Sequence, residues 1–184
     1  MRCAGVTPPG SSRHLRRSKG SDGAPNPATT ENQHQQKEAG EHIDAKLAQV
    51  AKGKATQLFR NGDYMRACKN YSFALRLLPA RSASSAILLS NRSAAFAKLG
   101  QWDRALEDAE AAIRIDGNNG KFWCRKGAAL VGSNQAGEAV KAYKRASAVE
   151  PGYQGAAAGL AAAKEAIREG QRRYAAMWGS PAEA

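Results

Sequence analysis

From Glu41 onward, small and apolar positions recur at helical spacing, and the same pattern returns every 34 residues or so. Ala67, Ala105 and Ala139 form one column, at separations of 38 and 34. Ala74, Ala112 and Ala146 form a second column, seven residues further on. Leu58, Phe96 and Leu130 form a third, nine residues before the first alanines. Turn signals fall between the apolar stretches, at Gly62-Asp63, Gly100-Gln101 and Asn134-Gln135, and each unit closes on Pro79, Gly117 or Pro151. This is the pattern of a repeated helix–turn–helix. The alanines let the second helix of each pair lie close against the first, with Tyr64, Trp102, Tyr71 and Tyr143 filling the remaining space. The pattern predicts an all-α protein of three helix pairs.

The columns resemble the tetratricopeptide repeat (TPR) over about Ala48–Gly152, with repeats at 48–81, 86–119 and 120–153. The resemblance implies a right-handed superhelix. Ser82–Ser85 is a four-residue excess over the period, expected to lengthen a loop or add a turn to the third helix. In the third repeat Asn134 and Ala136 replace the usual glycine and aromatic, so a looser turn is expected there. An array of stacked repeats needs a polar-faced cap. Residues 154–178, alanine-rich with Lys164, Arg168, Arg172 and Arg173, read as that capping helix, weakened by Gly155, Gly159 and Gly170. Trp178 either packs the far end or is exposed. The domain plan is therefore a disordered basic tail (1–40), repeats (41–153), a cap (154–178) and a flexible C-terminus (179–184).

Residues 1–40 are rich in Pro, Gly, Ser, Asn and Gln and show no apolar period. The Arg13–Lys19 cluster has the charge of a transit or nuclear signal. Pro8, Pro9 and Gly10 interrupt the amphipathic helix a transit peptide needs, so a solvated basic tail is the preferred reading. No run of 18 apolar residues suggests a membrane span, and a cytoplasmic location is expected.

Charge changes the picture more than composition does. The 28 Lys+Arg against 16 Asp+Glu give +12. Residues 1–40 hold six against three, so the remaining 22 against 13 leave +9 on the helical part. An acidic partner is implied: nucleic acid, an anionic membrane or an acidic peptide. Catalysis finds no support. His14, His34 and His42 all precede the repeats, the acids are dispersed, and no P-loop, HExxH, GxSxG or CxxC occurs. Cys3, Cys68 and Cys124 lack metal-ligand spacing and read as reduced thiols. No cofactor, metal or small-molecule substrate is expected.

In a stacked helical array the first helix of each pair lines the concave face. Asn91 and Arg125 are 34 apart and share one phase on neighbouring first helices; Lys121 lies four before Arg125. In the first repeat Lys52 and Thr56, four apart, extend the stripe. Two lysines, an arginine, an amide and a hydroxyl without an acid among them point to an anion-binding groove.

The phrases SNRSAAFAK and GKFWCRKGAAL look very like those of the chaperone-binding repeats of the heat-shock-organising cochaperone, with similar modules in large immunophilins and in a serine/threonine phosphatase. That resemblance implies an adaptor, not an enzyme. It implies a two-carboxylate clamp for the Glu-Glu-Val-Asp tail of heat-shock seventy and ninety chaperones. Lys52, Asn91, Lys121 and Arg125 match clamp positions; Ala94, Ala97 and Lys98 match the groove floor and its neighbouring cation. Thr56 departs, standing where the family has asparagine. Two other classes compete: nucleic-acid binding through the basic surface, against which the aromatics sit in repeat columns rather than interleaved with arginine, and a scaffold using the convex face. Phe122 and Trp123 are expected to pack between repeats.

Overall fold

The computed structural model describes residues 27–178, with side chains from His42 onward. Seven helices follow one another among the described residues: α1 (Pro27–Arg60), α2 (Tyr64–Arg76), α3 (Ala83–Lys98), α4 (Trp102–Ile115), α5 (Gly120–Gly132), α6 (Ala136–Val149) and α7 (Gln154–Trp178). Among the described residues there is no strand. The pairs α1/α2, α3/α4 and α5/α6 are the three expected repeats, wound as a right-handed superhelix, and α7 packs on α6 and α5 as the cap.

Six alanines form the seam. Ala67, Ala74, Ala105, Ala112, Ala139 and Ala146 are all fully inaccessible, because only a methyl group fits where the helices of a pair come closest. Around them lie Tyr71, Phe96, Leu130 and Tyr143, all buried. Phe122 is buried as expected, and Trp123 donates its indole N–H to the carbonyl of Gly117 at 2.8 Å. Cys68 and Cys124 are free and buried, and burial pushes each thiol up to about 11, which leaves them as core packing.

The turns explain why the repeats keep their register. Gly62 and Gly100 take positive φ of 81° and 71°, and the following amides bond back to Leu58 and Phe96. The third turn is not looser. Asn134 takes the same left-handed conformation, at φ 61°, and Gln135 N–H bonds to Leu130 at 2.8 Å. Asparagine is the non-glycine residue that tolerates this region, so the substitution preserves the turn.

Two further expectations are refined. The Ser82–Ser85 excess becomes an added turn on the third helix: α3 starts at Ala83, capped by Ser82, whose Oγ accepts from Ser85 N–H at 3.1 Å. At the N-terminal end, α1 begins at Pro27, upstream of the change to helical character expected at Glu41. Proline suits a first helical position, and the Glu, Gln, Lys and Ala that follow are good helix formers whether or not they bury a face. The basic tail before residue 27 and the C-terminus after 178 lie outside the described residues.

The cap corrects the reading of its glycines. A Cβ on Gly159 would sit 2.0 Å from the Tyr143 ring, and one on Gly127 of α5 would sit 2.7 Å from it. The two glycines flank a ring only 5% exposed, so Gly159 seats the cap rather than weakening it. Gly170 has nothing within 4 Å. Gly159→Ala is therefore expected to lower stability by about 1–3 kcal/mol through overpacking, whereas Gly170→Ala gains up to about 1 kcal/mol of helix propensity. Chemical denaturation of the two variants checks the contrast. Trp178 is 74% exposed, as are Met177 and Tyr174 to similar degrees, so the last turns of α7 leave the array.

Candidate peptide-binding groove

The first helices of the pairs carry every residue singled out in the sequence. Lys52 and Thr56 lie on α1; Asn91, Ala94, Ala97 and Lys98 on α3; Lys121 and Arg125 on α5. Asn119 caps α5, accepting from Lys121 N–H at 3.1 Å, which starts the helix one residue before that lysine. Lys121 is then one turn from Arg125.

Three cations come together. Burial lowers the pKa of Lys121, and the neighbouring charges of Arg125 and Lys52 lower it further. Among the described residues none of Lys52, Lys98, Lys121 and Arg125 forms an ion pair. Arg125 Nε is buried without a hydrogen-bond partner, an unfavourable arrangement for a guanidinium group.

A pocket of about 340 Å³ adjoins this cluster. Arg125 forms part of its wall, together with Ala94, Ala97 and Lys98. Phe59, Ser93, Trp102 and Ala128 complete it. Arg125 thus belongs both to the cation cluster and to a mostly apolar cavity. Ala94 is 7% exposed and floors the pocket, while Lys98 is exposed at its edge. Asn91 is half-buried on α3, one turn before Ala94 and Ala95. Lys52 also lines a separate small cavity, of about 90 Å³, with Gln49, Ser84 and Leu88.

Thr56 does not present its hydroxyl freely. Its Oγ1 donates to the carbonyl of Lys52 at 2.9 Å and lies 3.3 Å from the Tyr71 hydroxyl. This is the back-bond open to a threonine inside a helix.

Sequence reasoning missed some of the pocket. Ala128 stands 34 residues after Ala94, and the period alone could have found it. Trp102 reads as packing in the repeat pattern, and Phe59 falls in none of the repeat columns. One structural cation was missed too. Arg92 forms a two-pronged ion pair with Asp108, both bonds 2.7 Å, and reaches Ser72 at 2.8 Å.

No family model matches the chain. Among curated proteins it is 37% identical, over 124 residues, to the small glutamine-rich tetratricopeptide repeat-containing protein 2 of Mycosarcoma maydis, covering 67% of this chain and 34% of that protein. It is 37% identical to the Hsp70-Hsp90 organizing protein of Triticum aestivum over 127 residues, covering 69% of this chain and 21% of that one. Among solved structures, the Sgt2 TPR domain from Aspergillus fumigatus superposes with a TM-score of 0.62 at 31% identity, covering 68% of this chain and 82% of that domain. The chain belongs to the tetratricopeptide-repeat proteins. Another TPR neighbour, the first TPR of Spaghetti (RPAP3) solved bound to the HSP90 peptide SRMEEVD, has a TM-score of 0.61 at 27% identity, covering 67% of this chain and 98% of that one. The chain spans about a third of the first curated relative and about a fifth of the second. Among the described residues no helix is long and apolar enough to cross a membrane.

Proposed function

We propose that this TPR protein is a co-chaperone-like adaptor whose concave groove binds the acidic Glu-Glu-Val-Asp C-terminus of heat-shock seventy and ninety chaperones. The observation that carries the reading is the cluster of Lys52, Lys121 and Arg125, in which burial and the charges of Arg125 and Lys52 lower the pKa of Lys121 and none of the three forms an ion pair among the described residues. A protein keeps such a cluster at a loss unless a ligand neutralises it. A C-terminal aspartate brings two carboxylates, one for the Lys52–Asn91 side and one for Lys121 and Arg125. The pocket beside Arg125 has room for an apolar side chain of the same peptide. The similarity to the wheat Hsp70-Hsp90 organizing protein and to an HSP90-peptide-bound TPR domain supports this choice of ligand.

Titrating a panel of C-terminal tail peptides against the chain tests the reading. The expected outcome is saturable binding of the Glu-Glu-Val-Asp tail, competed by a free peptide of that sequence. A preference for an unrelated acidic tail would make the chain a general scaffold, and binding only to nucleic acid would overturn the proposal.

Thr56 sets the affinity. Its hydroxyl is held by Lys52 and Tyr71, so it offers the ligand little, whereas an asparagine amide at the same position would reach the carboxylate. Thr56→Asn is expected to tighten tail binding by about 1 kcal/mol, a five- to tenfold gain. A loss of affinity in calorimetry would mean that Thr56 is itself a contact.

A further inference from the structure

One cavity among the described residues lies outside the concave groove. It measures about 790 Å³ and lies between α2 and α4, with α3 as its floor. One wall is a stripe of α2 in which apolar and cationic residues alternate: Met65, Lys69, Phe73 and Arg76. These four run over three turns, or about 16 Å of helix, and all four are exposed. Leu89, Arg92 and Phe96 form the floor and Arg104 the far wall. By helical periodicity, these floor residues lie on the opposite side of α3 from Asn91, Ala94 and Lys98. The two cavities therefore face away from each other.

Charge tells the two sorts of cation apart. Arg92 is neutralised by Asp108 and belongs to the core. Lys69, Arg76 and Arg104 form no ion pair among the described residues. Arg76 instead lies over the ring of Phe73 at 5.6 Å, and Arg104 over that of Phe96 at 4.4 Å. Met65 and Phe73, 51% and 42% exposed, give the groove an apolar lip. Ser85, from the Ser82–Ser85 stretch that breaks the 34-residue period, also lines it, beside Ala80. That excess shaped a surface the concave groove does not use.

We infer that this α2–α3–α4 groove is a second docking site, which takes an acidic amphipathic helix of a protein partner. Three turns of apolar-and-cationic wall match a helix with apolar anchors at i, i+4 and i+7 and carboxylates on both flanks. The alternatives from the chain itself have the wrong sign. Residues 1–26 carry five Lys/Arg and one Asp, and the exposed apolar end of α7 is flanked by Arg172 and Arg173. A nucleic acid would want several exposed rings, and Phe73 is the one exposed ring on this wall, since Phe96 is 6% exposed beneath Arg104. A second groove on the far side would give an adaptor a way to hold two partners at once.

The inference does not rest on the reading of the concave groove, and the test keeps them apart. Isotope-labelled full-length chain is titrated with a synthetic amphipathic helix of about four turns, with leucine at i, i+4 and i+7 and glutamate on both flanks. A scrambled peptide of the same composition and a single-stranded oligonucleotide serve as the other probes. Amide shifts are expected along Met65, Lys69, Phe73 and Arg76 and at Arg104 with the amphipathic peptide alone. Phe73→Ala and Arg76→Glu, both at exposed positions, are expected to weaken its binding about tenfold and to leave the shifts caused by a Glu-Glu-Val-Asp peptide unchanged. Three results would overturn the inference: no shifts on this face up to about 1 mM peptide, shifts confined to the Lys121–Arg125 face, or tighter binding of the scrambled peptide or the oligonucleotide.

Discussion

Arg92→Ala is expected to destabilise the protein by about 3 kcal/mol, enough to unfold much of it near physiological temperature. The side chain is 21% exposed and its partner Asp108 is 8% exposed, so removing the guanidinium strands a carboxylate away from water. Two hydrogen bonds of 2.7 Å to Asp108 and one of 2.8 Å to Ser72 go with it, and so does the packing of the guanidinium on Phe96. These contacts join α2, α3 and α4, so the loss is felt across two repeats. The cause is identified by the double variant. Arg92→Met combined with Asp108→Leu leaves no stranded charge and is expected to recover most of the stability. Urea denaturation of the single and double variants measures both effects; equal destabilisation in the two would place the cost in packing rather than in charge.

Lys121→Ala and Arg125→Ala are expected to do the opposite. Each removes a cation from a cluster that repels itself, so the unliganded protein should keep its stability or gain up to about 0.5 kcal/mol. Each also removes a charge-assisted hydrogen bond to the ligand, worth roughly 1.5–3 kcal/mol. Tail-peptide affinity is then expected to fall about 10- to 100-fold. Calorimetric titration beside a thermal melt measures both quantities in one preparation. A cation that serves the fold loses stability on removal, as Arg92 does, and one that serves a ligand loses affinity. If both variants bind the tail as tightly as the unaltered chain, the groove has another purpose.

This contrast also marks what could be read from the residues alone. The alanine columns were legible because the seam between paired helices admits one size of side chain, and that demand repeats with the period. Asn91 and Arg125 were legible for the same reason, since residues 34 apart occupy equivalent places on successive helices, and Lys121 because it stands one turn before Arg125. Arg92–Asp108 was not. The pair joins two different helices, and no spacing within one helix announces which cation will meet which acid. Gly159 was misread for a related reason: propensity sees a weak helix former, while the ring of Tyr143 that needs the space comes from α6. Asn134 was misread because its composition departs from the glycine pattern while its backbone does not.

The reading of the concave groove turns on a free C-terminal carboxylate. The direct measurement is a pair of titrations against the chain, one with a peptide ending Glu-Glu-Val-Asp as the free acid and one with the same peptide amidated at its C-terminus. Amidation removes one of the two carboxylates that the Lys52–Asn91 and Lys121–Arg125 sides are proposed to hold, and leaves every other atom of the peptide in place. The expected result is ready binding of the acid, weakened by added salt, and near loss of binding by the amide. Equal affinity for the two forms would contradict the account, because an internal acidic motif rather than a chain terminus would then be what this groove recognises.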